Sequence, residues 1–163
     1  MISDQEIVEK CIQEGNEHFE ELIKRHSNYI FGFMMRLTGG NQMFAEDLTQ
    51  TAFLRAISYL QSYNPAKEFR GWLATIAINS FRTEVRKHAK YTLEENMDHI
   101  SANEQRGDNQ DFYKLLSHLS SDERTILTMK YIYDYKNADI ARDLNMNLNT
   151  VKSVIKRALE KLK

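Results

Sequence analysis

The sequence predicts an all-α protein made of two small helical domains joined by a flexible linker. Residues that break helices are scarce, because only 6 of the 163 residues are Gly and 1 is Pro. Apolar residues recur every three or four positions, and no strand-like alternation occurs over residues 1–90. A polar, acidic stretch at residues 91–110 separates two such regions. We therefore predict domains at 1–90 and 111–163, with 91–110 as the linker.

The first domain is predicted to begin with a short helix and a long one. Ser3 and Glu6 have the spacing of a capping box, which satisfies free N–H groups at a helix start. The inner face of the short helix is predicted to be Ile7, Val8, Cys11 and Ile12. The long helix, of about 20 residues, is predicted from the spacing of Phe19, Leu22, Ile23, Tyr29, Ile30, Phe33, Met34 and Leu37. Gly39 and Gly40 are predicted to end it.

Two further helices complete the predicted first domain. Asn41 can cap a third helix that runs to about Tyr63, because Pro65 forbids its continuation. The inner residues of this helix are predicted to be Phe44, Leu48, Ala52, Ala56, Ile57 and Leu60. A fourth helix begins after Lys67, with an inner face made of Phe69, Trp72, Leu73, Ile76, Ala77 and Phe81. This spacing favours Phe69 and Trp72 as core residues over platforms that stack on unpaired bases.

The second domain is predicted to contain a helix-turn-helix. Ser120 and Glu123 form a second capping box. A short helix over residues 138–144, a turn at 145–147 and a helix from about Leu148 then follow, and Asn147 can cap that last helix. The second helix of such a motif lies in the major groove of DNA. The inner face of the last helix is predicted to be Val151, Ile155, Ala158 and Leu162.

The distribution of charge indicates a polyanionic partner. The net charge of −1 divides into −4 over residues 1–64, +4 over 65–90, −6 over 91–123 and +5 over 124–163. Two basic blocks separated by an acidic one are typical of a protein that contacts nucleic acid at two places. The outer face of the last helix is basic and rich in hydrogen-bonding groups: Asn149, Lys152, Ser153, Lys156 and Arg157.

A second basic stripe lies on the fourth helix. Arg82, Arg86 and Lys90 are spaced i, i+4 and i+8, so they share one side of the helix. Lys87 is beside them and Asn79 lies just before them. An amide can read the edge of a base and cations can hold phosphates, which makes this stripe a second candidate DNA surface.

Several classes of protein are disfavoured by composition. A single cysteine, Cys11, excludes an internal disulfide and a thiolate zinc site, and we expect it to be a small buried hydrophobe. The five histidines lack metal-ligand spacing, and no phosphate-binding loop or nucleophile motif occurs, so we expect no enzyme, cofactor or metal. No apolar run approaches the roughly 18 residues of a membrane span. A cytoplasmic protein without membrane insertion is the expectation.

Two sets of motifs resemble a known family. Residues 45–57 (AEDLTQTAFLRAI) and 69–79 (FRGWLATIAIN) are similar to regions 2.2 to 2.4 of bacterial sigma factors of the extracytoplasmic-function class. Residues 119–124 (LSSDER), 139–144 (DIARDL) and 150–158 (TVKSVIKRA) resemble region 4 of the same class. The two sets occur in the family's order over nearly the whole chain.

The resemblance implies a subunit that binds core RNA polymerase, recognises the −35 and −10 promoter elements and promotes DNA melting. It places the residues that bind core polymerase at Asp47, Gln50 and Leu54. It places the −10 contacts at Asn79, Arg82, Arg86 and Lys87, and the −35 contacts at Asn149, Lys152, Ser153, Lys156 and Arg157. It also implies an anti-sigma factor as a partner and a location in the bacterial cytoplasm.

Departures from the family pattern bear on which promoter is read. Val154 stands where an Arg is usual, which removes a phosphate or base contact, and Thr83 stands where an Asp is common. Thr51 replaces a common Glu in the docking helix. Apart from the resemblance, the residues leave open a two-domain helix-turn-helix transcriptional regulator, which would need an effector pocket or a phosphoacceptor in its first half.

Overall fold

The computed structural model describes the backbone of residues 1–91 and 110–163, and the side chains of 1–89 and 111–163. The predicted linker, 91–110, lies outside the described residues except at its two ends, where helices stop and start. Every regular element in the described ranges is helical, in agreement with the predicted all-α class.

Four α-helices form the first half of the chain, which we call the N-terminal module (residues 1–91). They are α1 (Asp4–Glu14), α2 (Phe19–Leu37), α3 (Gln42–Ser58) and α4 (Phe69–Tyr91), with short 3₁₀ turns at Asn16–His18 and Leu60–Ser62. The third helix therefore ends a turn earlier than predicted, and the tighter 3₁₀ turn carries the chain on to Tyr63.

The second half, which we call the C-terminal module (residues 110–163), contains four more helices. These are α5 (Gln110–Ser117), α6 (Ser121–Leu127), α7 (Asn137–Asp143) and α8 (Leu148–Lys161). A π-type helical turn at Thr128–Ile132 follows α6. The helices α7 and α8, with the turn between them, confirm the predicted helix-turn-helix.

The predicted helix starts are confirmed by hydrogen bonds. Ser3 Oγ accepts from the N–H of Glu6 at 3.2 Å, and Glu6 returns the bond to the N–H of Ser3 at 3.0 Å. The Ser120 and Glu123 pair does the same at 3.2 and 2.9 Å. Asn41 caps α3, and Asn147 caps α8 by accepting from the N–H of Asn149 at 2.8 Å. Each cap is a contact between near neighbours in sequence, so local spacing was enough to find it.

The core of the N-terminal module follows the predicted stripes with two corrections. Ile12 and Ile23 are exposed, although both were assigned to inner faces. At 100° per residue, Ile12 lies about 40° beyond Val8, at the edge of the apolar side of α1, and Ile23 lies about 100° from the buried Leu22. Cys11, Phe69 and most of the predicted inner residues are buried, and burial raises the pKa of the Cys11 thiol.

The two modules pack against each other. The ring of Tyr133 stacks on Phe33 with centroids 3.9 Å apart, and Arg36 donates to the Tyr133 hydroxyl at 2.9 Å. Arg124 of α6 donates to the carbonyl of Leu37, at the end of α2, at 2.9 Å. No helix among the described residues has the length and apolar character needed to cross a bilayer.

Candidate nucleic-acid interfaces and docking surface

The outer face of α8 is fully presented to solvent. Each of the five predicted −35 residues is exposed: Asn149, Lys152, Ser153, Lys156 and Arg157. The opposite face, with Val151, Ile155 and Ala158, is buried as predicted, which fixes the rotation of the helix about its axis. In the described part of the chain, no carboxylate pairs with the three cations of this face. They are therefore available for phosphates and base edges.

Val154 belongs to the packed side of α8. Its side chain is buried, so in this arrangement the position faces the protein interior. The expectation that Val154 marks a lost DNA contact does not fit this placement.

An ion pair between the exposed Lys161 and the buried Glu123 holds the C-terminal end of α8. Lys161 Nζ lies 2.9 Å from the carboxylate of Glu123, which starts α6. Burial of Glu123 opposes its ionisation, but the Lys161 ammonium and the N–H of Ser120 hold the pKa of the carboxyl below its ordinary value. The pair therefore joins the C-terminal end of α8 to the N-terminal end of α6.

The turn between α7 and α8 uses a left-handed residue. Asn145 has φ of 53°, and the N–H of Met146 bonds to the carbonyl of Ala141 at 2.8 Å. Asn tolerates this conformation better than most residues do, so the chain can stop α7 and start α8 within a few residues.

The predicted −10 residues of α4 divide into two groups. Asn79, Arg86 and Lys87 are exposed, and Lys87 lies near Glu84 at 3.5 Å. Arg82 is different, since its side chain is only 12% exposed and Nη1 donates to the carbonyl of Leu144 at 2.8 Å. The side chain of Lys90 lies outside the described residues.

Arg82 is held by the C-terminal module. Its Nε lies 3.8 Å from the Asp122 carboxylate, too far for a hydrogen bond. Burial lowers the pKa of Arg82, while the nearby Asp122 acts in the opposite direction. Of the predicted basic stripe, Arg86 is therefore exposed, whereas Arg82 is engaged within the protein.

The predicted docking residues lie on one exposed side of α3. Asp47, Gln50 and Leu54 are all exposed, and Leu54 presents 67% of its surface. Met43, one turn before Asp47 on the same side, is 70% exposed and was missed from the sequence. We call these four residues the docking stripe. It combines two exposed apolar side chains, Met43 and Leu54, with two polar ones between them.

Metal-ligating clusters and exposed aromatic platforms were the other kinds of site considered from the sequence. No group of three His, Cys, Asp or Glu side chains there could hold a metal ion. Trp72 is half-buried and packs on Tyr63 and Phe69, which confirms a packing role for these aromatic residues.

The chain thus carries a four-helix module with an exposed stripe on α3, followed by a helix-turn-helix module with an exposed basic face on α8. The family model for Sigma-70 region 2 matches residues 22–91, and that for Sigma-70, region 4, matches residues 109–162. The chain belongs to the sigma-70 family, in its extracytoplasmic-function class.

Individual relatives agree with this assignment. The chain is 30% identical over 156 residues to the ECF RNA polymerase sigma factor SigE of Mycolicibacterium smegmatis, covering 89% of this chain and 60% of the relative. It is 27% identical to the ECF RNA polymerase sigma factor SigM of Bacillus subtilis, and the match covers 88% of this chain and 92% of the relative.

Solved structures show the same fold. The sigma factor RpoE from Bartonella quintana, solved in complex with the anti-sigma factor NepR, is 25% identical. It matches with a TM-score of 0.70 over 88% of this chain and 93% of that one. CnrH, solved in complex with the cytosolic domain of CnrY, is 22% identical. It matches with a TM-score of 0.64 over 98% of this chain and 94% of that one.

Proposed function

We propose that this chain is an RNA polymerase sigma factor that binds core polymerase, recognises −35 and −10 promoter elements and promotes DNA melting. The observation that carries the proposal is the combination of the docking stripe on one module with a free basic recognition helix on the other. Residues 1–90 supply core docking and −10 recognition, 91–110 link the domains, and 111–163 supply −35 recognition. The chain acts in the bacterial cytoplasm and performs no catalysis of its own.

Core polymerase binds the docking stripe of α3. The exposed Met43 and Leu54 offer apolar area whose burial stabilises a complex, at about 25 cal/mol for each Å². Asp47 and Gln50, between them, give the interface its orientation through hydrogen bonds. Residue 51 is a Thr where the family commonly has a Glu, so Asp47 is the acidic residue of the stripe.

Promoter DNA meets the two remaining surfaces. The helix α8 enters the major groove at the −35 element, where Arg157 can form a bidentate contact with a base and the lysines hold phosphates. At the −10 element, the exposed Asn79 amide pairs with the edge of an unstacked base, and Arg86 and Lys87 follow the backbone of the same strand.

An anti-sigma factor is the proposed regulator. Two structurally similar proteins were solved in complex with a second protein, one of them named as an anti-sigma factor. Such a partner would cover the docking stripe and exclude core polymerase.

The test is binding of the purified chain to core RNA polymerase. The variant carrying Asp47→Ala and Gln50→Ala is expected to lose about tenfold in affinity or more, equivalent to about 1.4 kcal/mol. A matched control carries Glu9→Ala and Gln13→Ala, which remove one exposed acid and one exposed amide a turn apart on α1. Both should keep the wild-type unfolding free energy within about 0.5 kcal/mol.

Two outcomes would contradict the proposal. Undiminished affinity of the double α3 variant would remove the docking assignment. A chain that binds specific duplex sites alone, and has no affinity for core polymerase, would instead be a helix-turn-helix regulator.

A further inference from the structure

The side chain of Asn149 lies at the N-terminal end of the outer face of α8. It belongs to the second residue of the helix, which begins at Leu148. At 100° per residue, Asn149, Ser153, Lys156 and Glu160 fall within about 60° of one another around the helix, and all four are exposed. These four residues form the central line of the outer face, and Asn149 is the first of them.

The charges along this central line indicate which end of α8 enters a DNA groove. Glu160 stands at the C-terminal end, about 16 Å from Asn149 at 1.5 Å per residue, and phosphates repel its carboxylate. The N-terminal half carries an amide, a hydroxyl and an ammonium group, all of which can bind phosphates or base edges. In helix-turn-helix proteins, the N-terminal residues of the recognition helix contact base edges. We therefore expect Asn149 to reach into the major groove while Glu160 stays outside it.

The backbone of Asn149 is fixed, whereas its amide is free to bind. The N–H of Asn149 donates to Oδ1 of the capping residue Asn147 at 2.8 Å, and its carbonyl accepts from Ser153 Oγ at 2.9 Å. In the part of the chain that the structure describes, no hydrogen bond engages the side-chain amide of Asn149. The helix therefore sets the direction in which the side chain leaves the backbone, and the amide keeps its donor and acceptor for a ligand.

Adenine is the base whose major-groove edge matches this amide. The Asn side chain offers an amino donor beside a carbonyl acceptor. Adenine presents the complementary pair, because its N7 accepts and its N6 amino group donates. Guanine presents two acceptors, cytosine one donor, and thymine an acceptor and a methyl group, so none of them forms both bonds. A bidentate contact therefore favours adenine by about 5- to 150-fold over another base.

The neighbouring side chains in the same half of α8 are less suited to this contact. Val154 is buried. Ser153 Oγ already donates its proton to the Asn149 carbonyl, so it can only accept from DNA. Lys152 and Lys156 end in ammonium groups, which act as point charges and suit phosphates. Asn149 is therefore the side chain that presents a planar donor and acceptor pair in this half of the helix.

We propose that the Asn149 amide reads one adenine of the −35 element, so that the promoters of this chain share an A·T pair at that position. The inference rests on the proposed function of α8 in −35 recognition, and it adds the identity of one base. Arg157 lies eight residues further along α8, about 12 Å away along the axis, so it contacts a different base pair. Replacement of Asn149 should therefore alter the base preference at one position and leave the others unchanged.

Selection from a duplex library tests this assignment. Core polymerase carrying the full-length chain is bound to duplexes with a long randomised segment, the bound duplexes are sequenced, and core polymerase alone gives the background. The wild-type chain should enrich an upstream element in which one position is adenine. Asn149→Ala should make the four bases equivalent at that position and lower the affinity for the selected duplex about 5- to 150-fold.

Two further variants and a matched control separate base reading from a structural role. Asn149→Asp should move the preference from adenine to cytosine, because a carboxylate only accepts and cytosine presents its N4 amino group. Asn149→Gln keeps the donor and the acceptor, so it should keep the adenine preference. Asn145→Gly is the control, because it removes an exposed amide four residues earlier and Gly adopts the φ of 53° without strain. It should leave every base preference unchanged.

The proposal is overturned if Asn149→Ala keeps the adenine preference, or if it weakens the preference at all positions of the upstream element alike. It is also overturned if Asn149→Asp gains no preference for cytosine. A failure of the proposed function looks different, because the wild-type chain would then enrich no upstream element beyond core polymerase alone. That result would refute −35 recognition by α8 together with the adenine contact, whereas a normal upstream element that is indifferent to Asn149 would refute the adenine contact only.

Discussion

Replacement of Arg124 by Ala is expected to destabilise the whole chain. The side chain is 6% exposed, and its guanidinium donates to three carbonyls: Leu116 at 3.0 Å, Leu37 at 2.9 Å and Leu119 at 3.2 Å. No carboxylate pairs with Arg124 in the ranges that the structure describes, and burial lowers its pKa. The planar guanidinium of Arg124 therefore caps carbonyl groups at the C-terminal ends of both α2 and α5.

The expected loss of unfolding free energy in Arg124→Ala follows from the number of hydrogen bonds lost. Each net bond is worth about 1 kcal/mol, and three buried carbonyls lose a partner, so the expected loss is about 3 kcal/mol. With a urea dependence of about 2 kcal/mol per molar, the unfolding midpoint should fall by about 1.5 M. Arg124→Lys keeps the charge but not the planar fork, and should lose about half as much.

The assay is urea unfolding followed by far-ultraviolet circular dichroism. Arg142→Ala is the matched control, because Arg142 is an exposed arginine of the same module whose partners are surface carboxylates at 3.3 and 3.2 Å. It should cost no more than about 0.5 kcal/mol. If Arg124→Ala lowers the unfolding free energy by less than about 0.5 kcal/mol, Arg124 does not stabilise the ends of α2 and α5 as described.

Three further predictions concern DNA and pH. Arg157→Ala should cost about 1–3 kcal/mol in binding to a −35 duplex and relax its base preference, whereas Lys156→Ala should weaken all duplexes alike and lower the salt slope by about one, as measured by gel shift. Asn79→Ala should spare that duplex binding but reduce promoter opening in permanganate footprinting; equal losses in both assays would contradict its assignment. Because the folded pKa of Glu123 is depressed, its ion pair stabilises the fold above the unfolded pKa and the contribution is lost as pH falls through the folded value. Lys161→Met should therefore be less stable than wild type at pH 7, and thermal unfolding should show the difference shrinking as the pH falls below the ordinary pKa of a glutamate.

The parts of the fold that depend on near neighbours were predictable from the sequence. Ser3, Asn41, Ser120 and Asn147 cap the helices that their spacing indicated, because a cap joins residues two or three apart. The exposed outer face of α8 followed from helical periodicity for the same reason.

The contacts between modules were not predictable. Arg36 and Tyr133 are 97 residues apart, and Arg124 and Leu37 are 87 apart. Periodicity shows which side of a helix is apolar, but it does not show which distant element covers a polar side. This is why Arg82 was assigned to DNA from its spacing, although the structure engages it with Leu144.

The most direct test of the central claim is initiation by core RNA polymerase supplied with this chain. Run-off transcripts are made on fragmented genomic DNA from the source organism, with and without the chain, and their 5′ ends are mapped. The account predicts discrete new start sites that share one −35 and one −10 sequence, and that disappear with the Asp47→Ala and Gln50→Ala variant. The same start sites from core polymerase alone, or none with the chain added, would contradict it.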